Sequence, residues 1–318
     1  MRIVSLFPAA TEWVCTFGAQ EALVGRSHAC DYPPEILDRP VLTRPRIDPT
    51  QYAAAIDQDV RALQLQGLSL YEIDWEQLQR LRPELILTQT QCSVCAVSLD
   101  VLETELATWP EEHRPQLLAM APATLKQVLD AALMLGRAIG RLQEAIEVLA
   151  HAEKRLRELR DYLGLHRRTD PTALPTVACL EWLDPLIAAG HWMPDVVEMA
   201  GGQAVLASPG QPSRTITWEM LLAADPDVVL LMPCGFSIAQ TLRELPRLME
   251  QPQWHALRAV QEGRVYALDG NAYFNRPGPR LYRSIALVAA CLYPDRLPPQ
   301  LLGLKPWELQ LLHSAPAT

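Results

Sequence analysis

The 318-residue chain is 49% apolar and 20% charged, a balance that excludes intrinsic disorder and fits a packed globular fold. With 28 Lys+Arg against 37 Asp+Glu the net charge is −9, and no long basic run is present to neutralise a phosphate backbone, which argues against a nucleic-acid partner. No stretch approaches the ~20 apolar residues needed to span a bilayer, and the opening MRIVSLFPAATEW has no apolar signal-peptide core. The sequence as written therefore predicts a soluble cytoplasmic monomer with no membrane insertion, or a periplasmic or cell-surface protein if an export signal has been trimmed.

In chain order, RIVSL reads as a strand, followed by a helical stretch that ends at Gly18, where positive φ is cheap only for glycine. A second strand at Leu23–Gly25 leads into the Pro-rich segment DYPPEILDRPVLTRPRIDP, which reads as loop and short turns. Asp74 then caps a helix that Pro83 stops before the β-rich LILT. From about Thr124 to Leu163 the chain lacks proline, and apolar residues keep a 3- or 4-residue step, with Gly136 and Gly140 as weak points. This predicts a long helical strut. The pattern then restarts: PTVACL as strand, a helical stretch to Gly201, a helix capped by Thr217 and stopped by Pro226, then the strand VVLL and a last strand at Val265–Leu268.

The restart is literal. WEQLQRLRPELIL at 75–87 and WEMLLAADPDVVL at 218–230 align without a gap at a constant offset of 143 residues. Alternating strands and helices imply a mostly parallel sheet in each half. The predicted fold is α/β, with lobes at 1–122 and 166–318 joined by a helical segment at 123–165.

In open parallel sheets, ligands bind beyond the carboxyl ends of the strands. The loops there carry His28, Cys30, Asp31 and Tyr32; then Gln91, Cys92 and Cys95; then Glu181, Trp182, His191 and Trp192. Two more carry Cys234, Gly235 and Phe236, and Tyr273, Phe274, Asn275 and Arg276. Large flat side chains with a few polar handles suit a bulky, partly apolar ligand. His28, Cys30, Cys92 and Cys95 could close a tetrahedral zinc site, form a redox pair, or line a pocket as thiols. His28 or His191 could instead give an axial nitrogen to a metal held by a macrocycle. Seven scattered cysteines, an odd number, fit free thiols in a reducing compartment. Phosphate-binding glycine fingerprints, Gly-x-Ser-x-Gly and His-Glu-x-x-His are all absent, so binding is expected rather than catalysis.

RIVSLFPAATEWVCTFGAQEALVGRSHACDYPP, the two Trp-Glu segments and the closing GNAYFNRPGPRLYRS resemble the class III substrate-binding proteins of bacterial ABC importers, in particular the vitamin B12 (cobalamin) type. The resemblance covers nearly the whole chain. It implies two Rossmann-like α/β lobes joined by a long rigid α-helix, with the ligand in a cleft between the lobes. It points to a corrinoid stacked on Trp182 and Trp192, with polar contacts from Tyr32, Asn275 and Arg276, and to an ABC permease met by Glu76 and Glu219, one from each lobe. Haem, siderophores and zinc are the alternative ligands.

Overall fold

The structure is a computed structural model that describes residues 1–90, 99–165, 174–297, 303 and 308–312. Its contacts divide it into two compact units. Unit 1 comprises 1–49, 58–122 and 126–151, and unit 2 comprises 50–57, 123–125 and 152–318.

In unit 1, β1 (Ile3–Ser5) runs into α1 (Pro8–Thr16), then β2 (Leu23–Arg26), and the short antiparallel pair β3 (Thr43–Pro45) and β4 (Tyr71–Ile73). Between the last two lies α2 (Ala53–Leu65), whose first residues belong to unit 2. The first copy of the repeat is α3 (Trp75–Leu81) and β5 (Leu85–Gln89), followed by α4 (Leu99–Ala107), β6 (Gln116–Met120), α5 (Leu125–Ala138), whose first residue belongs to unit 2, and α6 (Leu142–Leu163), whose residues from 152 onward belong to unit 2. The sheet order is β2-β1-β5-β6, parallel throughout. Every residue of β5 is buried, as a strand covered on both faces requires. Val4, Leu42, Leu78, Ile86 and Leu102 form the core, with Trp75 packed against it.

Unit 2 continues with β7 (Thr176–Leu183), β8 (Leu186–Ala188), α7 (Met193–Met199), β9 (Gln203–Ala204) and β10 (Arg214–Thr215). The second copy of the repeat is α8 (Trp218–Ala224) and β11 (Val228–Leu231). After it come α9 (Ile238–Met249), α10 (Pro252–Ala256), α11 (Arg258–Gln261), β12 (Val265–Leu268), α12 (Leu281–Leu292) and β13 (Leu309–Leu312). The order β9-β7-β11-β12, all parallel, repeats that of unit 1, and β8, β10 and β13 add antiparallel strands around it. Leu221 and Val229 lie in the core with Trp218 packed against it, as Leu78, Ile86 and Trp75 do in unit 1.

The repeat is preserved down to single hydrogen bonds. The Asp74 side chain accepts from Gln77 N, and the Thr217 side chain accepts from Met220 N, so both helices are capped as their sequences predict. Gly18 and Gly201 each take positive φ in a Schellman ending: Gly18 N donates to Cys15 O and Ala19 N to Val14 O, while Gly201 N donates to Glu198 O and Gly202 N to Val197 O. The acidic residue after the shared proline has the same duty in both. Glu84 accepts from Arg2 N at 2.7 Å, and Asp227 accepts from Thr176 N at 2.7 Å. Each carboxylate thus fixes the entry of the neighbouring central strand.

Two expectations change. The predicted strut is two helices, because Gly140, at φ +70°, ends α5 in another Schellman turn, with Arg141 N bonded to Gly136 O. A Cβ on Gly136 would lie 2.6 Å from that of Ala145, so this glycine admits the start of α6 against the end of α5. With 22 residues, α6 is about 33 Å long. The repeat helices α3 and α8 end immediately before their prolines, as expected, each on a left-handed residue, Arg82 and Asp225. The second change is that β7 runs to Leu183 and turns back into β8, so Glu181 and Trp182 lie in a strand rather than in a loop. No helix among the described residues is long and apolar enough to cross a membrane.

Candidate functional site

Unit 1 places His28 just beyond β2. Thr43 fixes it twice: His28 N donates to Thr43 Oγ1 at 3.0 Å, and His28 Nδ1 lies 2.7 Å from the same oxygen. The Tyr71 ring lies 5.2 Å away, centroid to centroid. Burial, then the Arg26 guanidinium, holds the imidazole below its usual pKa, with the Thr43 hydrogen bond opposing. The ring is therefore neutral at pH 7. Asp31 and Tyr32 follow on the exposed part of this loop, Tyr32 at 43% exposure.

Cys30 points the other way. It is fully buried, and its Sγ lies 3.0 Å from Thr11 Oγ1, 3.2 Å from Ser27 Oγ and 3.6 Å from Ser5 O. A thiol so enclosed ties the β2 loop to the start of α1. Among the described residues no group of three or more His, Cys, Asp or Glu could hold a metal ion. Gln91, Cys92 and Cys95, the rest of the predicted zinc set and its neighbour, lie outside the described residues. The five described cysteines are free thiols.

Unit 2 brings most of its predicted residues together. Cys234 N donates to Glu181 O at 2.9 Å, joining the end of β7 to the loop after β11. The Trp182 and Phe236 rings sit 5.4 Å apart, and Asn271 N donates to Phe236 O at 3.1 Å, joining that loop to the one after β12. Trp192 Nε1 donates to Phe274 O at 3.1 Å, which draws in the start of α7. The loops at the carboxyl ends of β7, β11 and β12 thus form one hydrogen-bonded rim.

Within this rim the aromatic residues divide. Phe274 is fully buried, Phe236 is 2% exposed and Trp192 is 7% exposed, so these three serve the core of unit 2, and the predicted stacking role of Trp192 meets a ring already enclosed. Trp182 and Tyr273 are part-exposed. Trp182 Nε1 donates to Asp184 O, which fixes the indole over the β7–β8 turn. Tyr273 donates its hydroxyl to Glu308 at 2.9 Å; burial, then this hydrogen bond, pushes its pKa up to about 12. The nearly buried Arg276 donates to Asn271 Oδ1 at 2.7 Å. Gly235, at φ +76°, has open space where a Cβ would stand.

His191 occupies a left-handed backbone position, φ +52°, held by its N–H donating to Gln211 O at 2.6 Å. Its ring stacks on Trp192, and burial lowers its pKa, so the imidazole is neutral at pH 7. Its Nδ1 and the Asn275 Oδ1 are buried polar atoms without a hydrogen-bond partner among the described residues. Asp195, in a stretch that read as loop, lies in α7 and accepts from Leu125 N, also in unit 2, at 2.8 Å. Thr43, Tyr71, Asn271 and Glu308 were not foreseen. Only Glu308 had a signal, a third Trp-Glu pair at 307–308.

Residues 3–272 match the family model described as Periplasmic binding protein. The chain belongs to that family. A vitamin B12-binding protein of Vibrio cholerae is 24% identical over 304 residues, which is 92% of this chain and 88% of that one. Among solved structures, a periplasmic haem-binding protein from Pseudomonas aeruginosa is similar with a TM-score of 0.68 and 21% identity, over 92% of this chain and 93% of that chain. The periplasmic vitamin B12-binding protein of Vibrio cholerae is similar with a TM-score of 0.63 and 20% identity, over 93% and 97% of the two chains. The α/β architecture is thus that of the class III substrate-binding proteins of ABC importers.

Proposed function

We propose that this substrate-binding protein takes a corrinoid, cobalamin or a close relative, as carrier, store or importer component, without catalysing a reaction. The observation that carries the reading is the rim of unit 2, where three strand-end loops are bonded to one another and leave Trp182 and Tyr273 part-exposed. Fixed aromatic faces with few polar groups match a large, partly apolar macrocycle. The similarity to a vitamin B12-binding protein along 92% of the chain supports the choice of corrinoid. The family's description favours a periplasmic setting over the cytoplasmic one read from the amino terminus.

Haem is the second reading, and His191 favours it: a part-exposed imidazole held neutral by burial is suited to be an axial ligand. Zinc has no comparable support, since the described residues hold no cluster for it. For a permease, Glu76 and Glu219 remain the proposed contacts. Both are exposed at the second position of equivalent helices, Glu76 paired with Arg80 at 2.6 Å and Glu219 hydrogen-bonded to Thr217.

Titration of the reduced protein with hydroxocobalamin and separately with hemin, followed by calorimetry and visible absorption, decides between the readings. Saturable one-to-one binding of hydroxocobalamin, at micromolar affinity or tighter, is expected. Binding of hemin alone, with a Soret shift lost in His191→Ala, would replace the corrinoid by haem, and binding of neither would refute both.

A further inference from the structure

Tyr273 is held more firmly than a surface aromatic needs to be. Its carbonyl accepts from the Ser284 hydroxyl, the Arg280 guanidinium faces its ring at 5.5 Å, and its hydroxyl donates to Glu308 Oε1 at 2.9 Å. Glu308 is itself fixed: Arg283 donates from Nε to Oε1 at 2.9 Å and from Nη2 to Oε2 at 2.6 Å, and the carboxylate side chain is only 5% exposed. Two donors on one oxygen and a third on the other leave this buried carboxylate well satisfied.

Glu308 comes from far along the chain. It immediately precedes β13, which pairs antiparallel with β12 along its whole length, Leu309 opposite Leu268 and Leu312 opposite Val265. This register sets Glu308 beside the point where β12 passes into the loop 269–276, which is built around a π-helical turn at Gly270–Phe274. The family match ends at residue 272, so Tyr273, Arg283 and Glu308 all lie beyond it.

We propose that β13 is a strap on the ligand loop: the Glu308–Arg283 pair positions the Tyr273 ring through its hydroxyl, so loop shape and ligand affinity depend on β13 being seated. The inference rests on the reading that loop 269–276 borders the ligand site. Glu308 and Arg283 are positioning residues and touch no ligand. By linkage, a ligand that uses the positioned ring must in turn hold β13 in place.

The test combines amide hydrogen exchange of the ligand-free protein with titration by hydroxocobalamin and hemin, for Tyr273→Phe, Glu308→Ala, Glu308→Gln and the Tyr273→Phe/Glu308→Ala pair. Tyr273→Phe should speed exchange in 269–276 by about tenfold, the scale of one hydrogen bond to a charged group, and leave 309–312 unchanged. Glu308→Ala should loosen both segments, the pair should be no worse in 269–276 than Glu308→Ala alone, and Glu308→Gln, which keeps an acceptor, should recover part of the loss. Whichever probe the wild type binds should bind Tyr273→Phe and Glu308→Ala about tenfold more weakly. Wild-type exchange in 269–276 of Tyr273→Phe, or losses that add in the paired variant, would overturn the strap. Tyr273→Phe keeps the ion pair, so it decides the matter even if Glu308→Ala does not fold. Exchange needs no ligand: a wild type that binds neither probe refutes the functional reading and leaves the strap to be judged on exchange alone.

Discussion

Gly18 and Gly201 give a controlled comparison, because the repeat puts them at the same place in the same motif while their surroundings differ. Both follow a helix and a cap residue, both close a Schellman ending, and their φ values are +72° and +88°. An alanine at positive φ costs about 1–2 kcal/mol at either site. At Gly18 nothing stands within 4 Å of the added Cβ, so Gly18→Ala should cost about 1 kcal/mol and no more than the strain itself. At Gly201 the Cβ would stand 2.7 and 2.8 Å from the two methyls of Leu165 and 3.2 Å from the Tyr293 hydroxyl oxygen. Neither neighbour can easily retreat, since Leu165 is buried and the Tyr293 hydroxyl donates to Gly201 O at 2.5 Å. Overpacking of this kind adds about 1–3 kcal/mol, so Gly201→Ala should cost about 3 kcal/mol in all. Urea unfolding followed by pulsed hydrogen exchange reads each unit separately, which matters because two units need not unfold in one step. Equal losses in the two variants, or a larger loss for Gly18→Ala, would refute the reasoning from surroundings and leave only φ.

Asp227 is a linkage test. Burial acts to raise its pKa, but hydrogen bonds from Thr176 N, Arg258 and the Thr176 hydroxyl outweigh it and hold the carboxyl below its usual range. A depressed folded pKa contributes stability above the unfolded value near ~3.9, lost as pH falls through the folded value. Asp227→Asn should therefore lower the stability of unit 2 at pH 7 and flatten its decline below pH ~4 in acid unfolding followed by circular dichroism, and an unchanged acid slope would count against the assignment. Removing the equivalent but 62% exposed Glu84 should cost about 1 kcal/mol or less by urea unfolding. Thiol mapping should find Cys234 alkylated first among the five described cysteines. Cys30, Cys179 and Cys291 are buried, and Cys15 is pushed up to about 12, chiefly by burial and next by Glu12; mass spectrometry of partly alkylated native protein checks the order.

The two α/β halves were legible because local rules fixed them. Asp74 and Thr217 are cap residues followed by helical spacing, and LILT and VVLL are the apolar runs that a strand buried on both faces needs. Gly140 announced the break between α5 and α6, though spacing alone could not say whether the helix would bend or end there. What the sequence left hidden depends on distant pairing. Glu181 and Trp182 read as loop because the end of β7 is set by its partner β8, which follows a turn. Aromatic type did not separate Trp182 and Tyr273, part-exposed, from Trp192, Phe236 and Phe274, which fill space under the same loops. The third Trp-Glu pair marks Glu308 in the sequence, but its role stayed hidden for the same reason: it exists only once β13 pairs with β12.

The division between what repeats and what does not bears on where specificity lies. Apart from the exposed Glu76 and Glu219, the positions kept in both copies discharge structural duties: Leu78 and Leu221 are fully buried, Trp75 and Trp218 pack on their cores, and Glu84 and Asp227 fix a strand entry. None of these duties lies at the carboxyl end of a strand. The ends have diverged instead, to a polar His28–Thr43–Tyr71 group in unit 1 and to a bonded aromatic rim in unit 2. A scaffold held by backbone hydrogen bonds tolerates such divergence, because the loops beyond it carry little of the core. The proposed ligand reading is therefore best tested at the strand ends and the loops beyond them, where His28, Trp182, His191 and Tyr273 lie, rather than at the repeated scaffold. A graft of the unit 2 rim loops from the vitamin B12-binding relative onto this scaffold should therefore carry the relative's ligand preference with it, measured by the same two titrations, while a graft of its α8–β11 segment should leave the preference unchanged.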